Sequence, residues 1–440
     1  MTAPAPAAPG RRTSRVTGTW RTGPGATAAV LLLALVALTL ALVPLDVLPG
    51  ASRVVDVGRD FTPAQVAREQ AFHAALRPPA YASLLLGLVV AAVLGFTRLG
   101  GRLVVAVARP LGGGWAWQVL LGTVALGAVG RLATLPLDVR SEQVLRAYGL
   151  STQDWGSWAV DAGKGLLVSS GLAALALLAV LALARRAPRT WWAFGAGALA
   201  ALVLAGSFAY PLVVEPVFNS FRPLPAGELR DDLLALARQD GVPVRDVLVA
   251  DASRRTSALN AYVSGFGSSR RIVLYDTLVR TASPQEIRLV VAHELGHVTQ
   301  HDVLVGSLLG ALGAAAAVCL LAVLLQRRGL LSRAGATGAG DPRVVPLVLA
   351  VVAVGTLLVS PATNLVSRRI EARADLHALQ LTGDVGTFIT VERRLSVTNL
   401  NDLRPGFVAE SFATHPTGPE RIALARAFAR QQPLGKAEQG

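Results

Sequence analysis

Seven stretches of the chain stay apolar for long enough to cross a bilayer, and polar segments of very unequal length separate them. They run from Ala26 to Leu48, Tyr81 to Phe96, Trp115 to Leu137, Gly165 to Ala184, Trp191 to Val214, Val303 to Leu325 and Val344 to Ala362. The first is too long for the apolar region of a signal peptide, although Arg11, Arg12, Arg15 and Arg21 precede it, so it reads as a retained anchor. Arg131 falls inside the third, where a charge is costly; it is expected to face the bundle interior or water. The pattern divides the chain into a disordered start (residues 1–25), five spans with their loops (26–214), a polar segment (215–302), two further spans (303–362) and a polar tail (363–440). The two long polar segments are expected to form one soluble part.

Inside the first polar segment the period shortens. Val247 to Asp251 reads as a strand, and Ala261 to Phe266 with Arg271 to Tyr275 as a hairpin around Gly267, Ser268 and Ser269. Ser283, Pro284 and Glu286 then match an N-cap, a first-turn proline and the returning acid of a capping box. No breaker except Gly296 follows before the sixth span, so the pattern predicts one helix from Pro284 into the membrane.

Composition agrees with a membrane protein: 52% of residues are hydrophobic and 16% charged, and the mean hydropathy is +0.49. A formal charge of +14 raises nucleic acid as a partner, but no nucleic-acid motif is present. The arginines gather at the ends of apolar runs, which suits anionic lipid headgroups. Cys319 is the one cysteine, so neither a disulfide framework nor a thiolate metal site is available. A metal would have to use histidine and carboxylate.

Such a set exists. His293, Glu294, Leu295, Gly296 and His297 spell H-E-x-x-H, and residues four apart share a helical face, so both imidazoles can reach one zinc ion with Glu294 beside them as general base. A catalytic zinc needs a third protein ligand and an open position. His301, Asp302, Glu371, Asp375, His377 and His415 are the downstream candidates. His301 is nearest, but three imidazoles on successive turns of a straight helix converge poorly. Glu371 follows the seventh span closely, and an antiparallel pairing of the last two spans would bring it to the height of His297. Asp375, one turn further, could then support an imidazole from behind. The edge of the hairpin, at Asn260, Ala261 and Tyr262, could hold a peptide as an added strand.

Five strings carry a resemblance: PVFNSFRPLPAGELR from Pro216, NAYVSGFGSSRRIVLYDTL from Asn260, HELGHVTQHD from His293, SRRIEARAD from Ser367 and THPTGPERI from Thr414. In this order and with this span count, the chain resembles the type I CAAX prenyl endopeptidases, which are also similar to the bacterial heat-shock membrane protease. The resemblance implies a mainly α fold: a seven-helix transmembrane bundle enclosing a chamber, with a zincin-like α+β metallopeptidase domain at the membrane boundary. It implies one zinc per chain on His293, His297 and Glu371, with Glu294 as base and Asn260 on the substrate backbone. It also implies that His415 and Arg421 lie in the cleft, where they could stabilise an oxyanion. The family typically has histidine where this chain has Asp302. Expected partners are a peptide or membrane-protein substrate and the lipid bilayer, in a multi-pass protein of the cell membrane acting in processing or quality control. A catalytically inactive scaffold or channel is the alternative.

Orientation divides the sequence. Family topology puts the catalytic segments in the cytosol. The arginines of the N-terminal segment and of the connections after the second, fourth and sixth spans would place those connections there instead. The catalytic domain is expected on the cytoplasmic side, because a large arginine-rich domain would otherwise have to cross.

Overall fold

The structure, a computed structural model, describes residues 23–49 and 54–431; the start expected to be disordered lies outside the described residues up to residue 22. Among the described residues, seven helices are long and apolar enough to span a membrane. In chain order, α1 (Pro24–Leu42) is followed by a single turn, α2 (Val57–Asp60), and then by α3 (Pro63–Gly95), α4 (Arg98–Ala108), α5 (Trp115–Ala147), α6 (Trp155–Arg186) and α7 (Trp191–Val213). Helix α3 starts well before its apolar run because Thr62 caps it: the Thr62 hydroxyl accepts from Gln65 N and the Gln65 side chain accepts from Thr62 N at 2.9 Å. Helix α1 instead stops short at Leu42, because Pro44 holds Val43 extended.

The soluble part begins with α8 (Glu215–Phe218), β1 (Phe221–Pro223), α9 (Glu228–Gln239) and β2 (Asp246–Ala250). The expected hairpin follows as β3 (Ala261–Ser264) and β4 (Arg271–Tyr275), then α10 (Asp276–Thr281) and α11 (Pro284–Thr299). The sheet order is β1-β2-β4-β3, with β2 and β4 parallel and the other pairs antiparallel, so β3 is an edge. Strand β1 escaped the sequence reading because its three residues include Pro223 and only Phe221 points inward.

The helix expected to run unbroken from Pro284 into the sixth span is broken. Its start is as read, with the Ser283–Glu286 capping box in place. But α11 ends at Thr299, and His301 takes a left-handed conformation, φ 56° and ψ 33°, before α12 (Asp302–Leu325) starts. A histidine held there costs about 1–2 kcal/mol, so composition gives no warning of the break. Helices α13 (Arg328–Ala334), α14 (Val345–Thr382), α15 (Val385–Thr398), α16 (Phe407–Phe412) and α17 (Gly418–Gln431) complete the chain. Helix α14 is continuous over 38 residues and carries the seventh span together with Glu371 and Asp375.

Two separate cores hold the fold. One packs the sheet against α9, α11, α15 and α17, through residues such as Leu236, Ile272, Leu295, Phe388 and Leu424. The other closes the far end of the bundle, through Val104, Leu181, Trp191, Cys319 and Leu347. Between them, among the described residues, α14 buries nothing from Val351 to Ile370 and α7 buries nothing beyond Ala196. Arg131 is neutralised within its own helix, donating to Asp138 at 2.7 Å, and Asp138 also accepts from Ser83 at 2.8 Å.

Candidate active site

Helices α11 and α14 approach so closely at Gly296 that a Cβ there would lie 3.1 Å from the Cβ of His377. This is the reason for a glycine inside the H-E-x-x-H turn. The approach brings Glu371 opposite both imidazoles, with its carboxylate oxygens 3.4 Å from His293 Nε2 and 3.7 Å from His297 Nε2. The two Nε2 atoms are themselves 3.3 Å apart. Each ring is fixed from behind, as His293 Nδ1 donates to Asp375 at 2.9 Å and His297 Nδ1 donates to Asp302 at 2.9 Å. With both Nδ1 atoms donating, both Nε2 atoms present lone pairs to one another and to a carboxylate. A metal ion between them, or a proton on one of the rings, makes that arrangement favourable. Although burial opposes it, the carboxylates of Asp375 and Glu371 push the His293 imidazole up to about 10, which expresses the same demand for positive charge. The donor set of two imidazoles and one carboxylate fits a metal ion.

The supports of these rings differ. Behind His293, Asp375 is wholly buried and receives Arg421, whose Nε donates at 2.8 Å. Arg421 also donates to the buried Glu392 at 2.8 Å. Behind His297, Asp302 receives Arg373, which in turn donates to the Leu42 carbonyl at the end of α1. On an unbroken helix Asp302 would sit about 140° around the axis from His297, out of reach. The left-handed residue His301 is what turns it back. His301 itself stays out of the cluster, and His377 is engaged with Asp240 at 3.0 Å. His415 does join, with Nδ1 2.9 Å from Glu371.

A cavity of about 930 Å³ lies in front of the cluster, lined among others by Asn260, Ala261, Glu294, His415 and Arg421. Burial pushes the Glu294 carboxyl above the ordinary glutamate range, against the pull of the two histidines. Strand β3 borders the cavity at its free edge, but alternation turns the Tyr262 side chain to the opposite face, against Tyr275. Residues 399–416, which include α16, form a strap that lines one side of the cavity. Sequence gave no sign of it, since its fastenings are long-range: Arg368 donates to the carbonyls of Glu410 and Ala413 at 2.7 Å, and His73 donates to the Leu400 carbonyl at 2.9 Å. A second cluster, Glu69, His73 and Asp402, sits at this fastening. There Asp402 is already paired with Arg77, so its polar atoms need no metal.

Comparison with known proteins gives this geometry a family. Residues 223–429 match the model of peptidase family M48, and residues 61–220 match that of the CAAX prenyl protease N-terminal region with five membrane helices. The metalloprotease YhfN of Bacillus subtilis (strain 168) is 32% identical over 300 residues, 68% of this chain and 70% of that one. The chain belongs to peptidase family M48. CAAX prenyl protease 1 of Saccharomyces cerevisiae is 33% identical over 174 residues, 39% of this chain and 38% of that protein. The alignments with such prenyl protease relatives thus span about two fifths of their length. The crystal structure of S. mikatae Ste24p shares the fold, with a TM-score of 0.73 at 22% identity, covering 91% of this chain and 97% of that one. This M48 protein is accordingly a multi-pass membrane metallopeptidase, with the mainly α seven-span architecture expected of it.

Proposed function

We propose that His293, His297 and Glu371 hold one zinc ion per chain, and that residues 215–302 and 363–440 form one peptidase unit around it. The observation that carries the reading is the meeting of two imidazole lone pairs and a carboxylate within 3.7 Å. When bound, zinc supplies a Lewis acid that polarises the scissile carbonyl and acidifies a water. Glu294 takes the proton of the attacking water and returns it to the leaving amine; its raised affinity for protons suits both halves of that task. His415, exposed towards the cavity, donates to the developing oxyanion, whereas Arg421 acts through Asp375. The substrate lies as an added strand along β3, bound through the main chain of Asn260, Ala261 and Tyr262. Membrane proteins or peptides undergoing processing or quality control fit a chamber at this depth, and the prenyl protease relatives make a CAAX-like cleavage one form of it.

Purified protein should carry about one zinc per chain and cleave unstructured peptides. Stripping the metal with a chelator should abolish cleavage and zinc should restore it; full turnover in metal-free protein would sink the reading. Asp302→Asn should weaken zinc binding by about 10–100-fold, because a neutral amide accepts from His297 Nδ1–H less strongly than the carboxylate does, and it also removes the counter-charge of Arg373. A zinc affinity within about twofold of wild type would show that Asp302 does not position the ring.

A further inference from the structure

The end of the bundle opposite the metal cluster is built from three short connections, residues 96–114, 185–190 and 326–344. They carry three, three and four arginines respectively, and one acid, Asp341. All ten arginines are exposed. The structure draws the connections into one surface: Arg185 donates to the Gly340 carbonyl at 3.1 Å, and a Cβ on Gly101 would touch Arg343 and the Ala334 carbonyl. Among the described residues, only Arg343 on this surface has a carboxylate partner, Asp341 at 3.0 Å. The four arginines that precede α1 in sequence add to the imbalance, as no acid occurs before Asp46.

The catalytic end is basic in sequence but compensated in space. There Arg146 pairs with Glu142 at 2.7 Å, Arg230 with Asp246 at 2.9 Å, Arg394 with Glu286 at 2.8 Å and Arg426 with Asp60 at 2.8 Å. The expectation of a cytoplasmic catalytic domain rested on the burden of moving its arginines across the membrane. In the folded protein that end is nearly balanced, whereas the opposite surface keeps its charge uncompensated.

We propose that the arginine surface opposite the metal cluster binds the anionic phospholipid headgroups of the cytoplasmic leaflet, so that the catalytic domain faces away from the cytoplasm. An excess of arginine in short connections is retained on the cytoplasmic side during insertion, and both the membrane potential and anionic headgroups favour it there. This reverses the orientation implied by the family resemblance. The zinc chemistry proposed above is unaffected by it, so the two can fail separately.

Two measurements test it on the full chain. In a Cys319→Ala background, Ser268→Cys in the hairpin turn and Ser332→Cys on α13 place single thiols at the two ends, both at exposed positions. A membrane-impermeant maleimide should label the first in spheroplasts and the second only after permeabilisation. Labelling of Ser332→Cys in sealed spheroplasts, or of Ser268→Cys only after permeabilisation, overturns the orientation. Separately, wild type and the Arg327→Gln, Arg328→Gln, Arg333→Gln triple variant are purified from micelles containing equal phosphatidylglycerol and phosphatidylcholine. The variant should retain phosphatidylglycerol at least about tenfold less, with its zinc content unchanged. Equal retention overturns the headgroup assignment.

Discussion

Glu294→Gln protein should hold its zinc as tightly as wild type and cleave peptide about 10²–10⁴-fold more slowly. The separation follows from where α11 aims its side chains. His293 and His297 turn their Nε2 atoms towards Glu371, while Glu294, the next residue along, is about 100° around the helix and lines the cavity instead. Glutamine keeps the volume and the packing of that position, so the cluster remains, but it cannot accept a proton. Wild-type kcat/KM should fall towards acid as Glu294 is protonated, and that limb should vanish in the variant's residual rate. Metal analysis beside single-turnover kinetics checks both halves. Turnover within about tenfold of wild type at full zinc occupancy would remove Glu294 from the mechanism.

The largest effect on stability is expected from Arg421→Met. Arg421 pairs directly with both Asp375 and Glu392, which are 0% and 3% exposed, and its side chain is itself only 15% exposed. Removing one partner from such a buried set costs about 3–5 kcal/mol, because the remaining carboxylates lose their compensation without regaining water. The deficit should depend on pH. Burial pushes the Glu392 carboxyl upward even beside Arg421, and losing the guanidinium pushes it further. A carboxyl whose folded value is raised is neutral in the fold at pH values where the unfolded chain is ionised, so stability is lost as pH rises above the unfolded value. The variant should therefore melt closer to wild type near pH 5 than near pH 8. Adding Glu392→Gln should remove that slope and recover part of the loss, as a coupled pair requires. Thermal unfolding of the zinc-free proteins measures it, and a deficit below about 0.5 kcal/mol at pH 8 would contradict it.

Much of this site was legible from residue order. Spacing alone puts His293 and His297 on one face, but the expected pairing of the last two spans is not what places Glu371: α12 packs mainly against α1 and α7, and Glu371 reaches the imidazoles because α14 packs on α11. The hairpin was equally plain, because two short runs rich in β-branched and aromatic residues flank a polar Gly-Ser-Ser turn. What escaped has a common physical cause. The break at His301 is made by tertiary demand on a residue that would otherwise continue the helix, and so Asp302 could not be assigned to His297 from its position in the chain. Glu392, the third member of the buried charge set, comes from a helix whose sequence looks merely amphipathic. The strap is polar and proline-containing, as any surface loop would be; its contacts with α3 and α14 lie hundreds of residues apart or along a helix already assigned to the membrane.

On the reading proposed above, that strap limits what kind of polypeptide can be cut. It is fastened to α3 at Leu400 and to α14 at Glu410 and Ala413, beside the cavity that it lines. The β3 edge behind it accepts a chain whose own amides and carbonyls are unpaired over several residues. A folded neighbour in the same bilayer meets neither condition: its backbone is already satisfied and too thick to pass beneath a tethered bar. It would be spared because it has kept its shape, even if it contains a cleavable sequence, and a chain that has lost its shape would become a substrate by that loss alone.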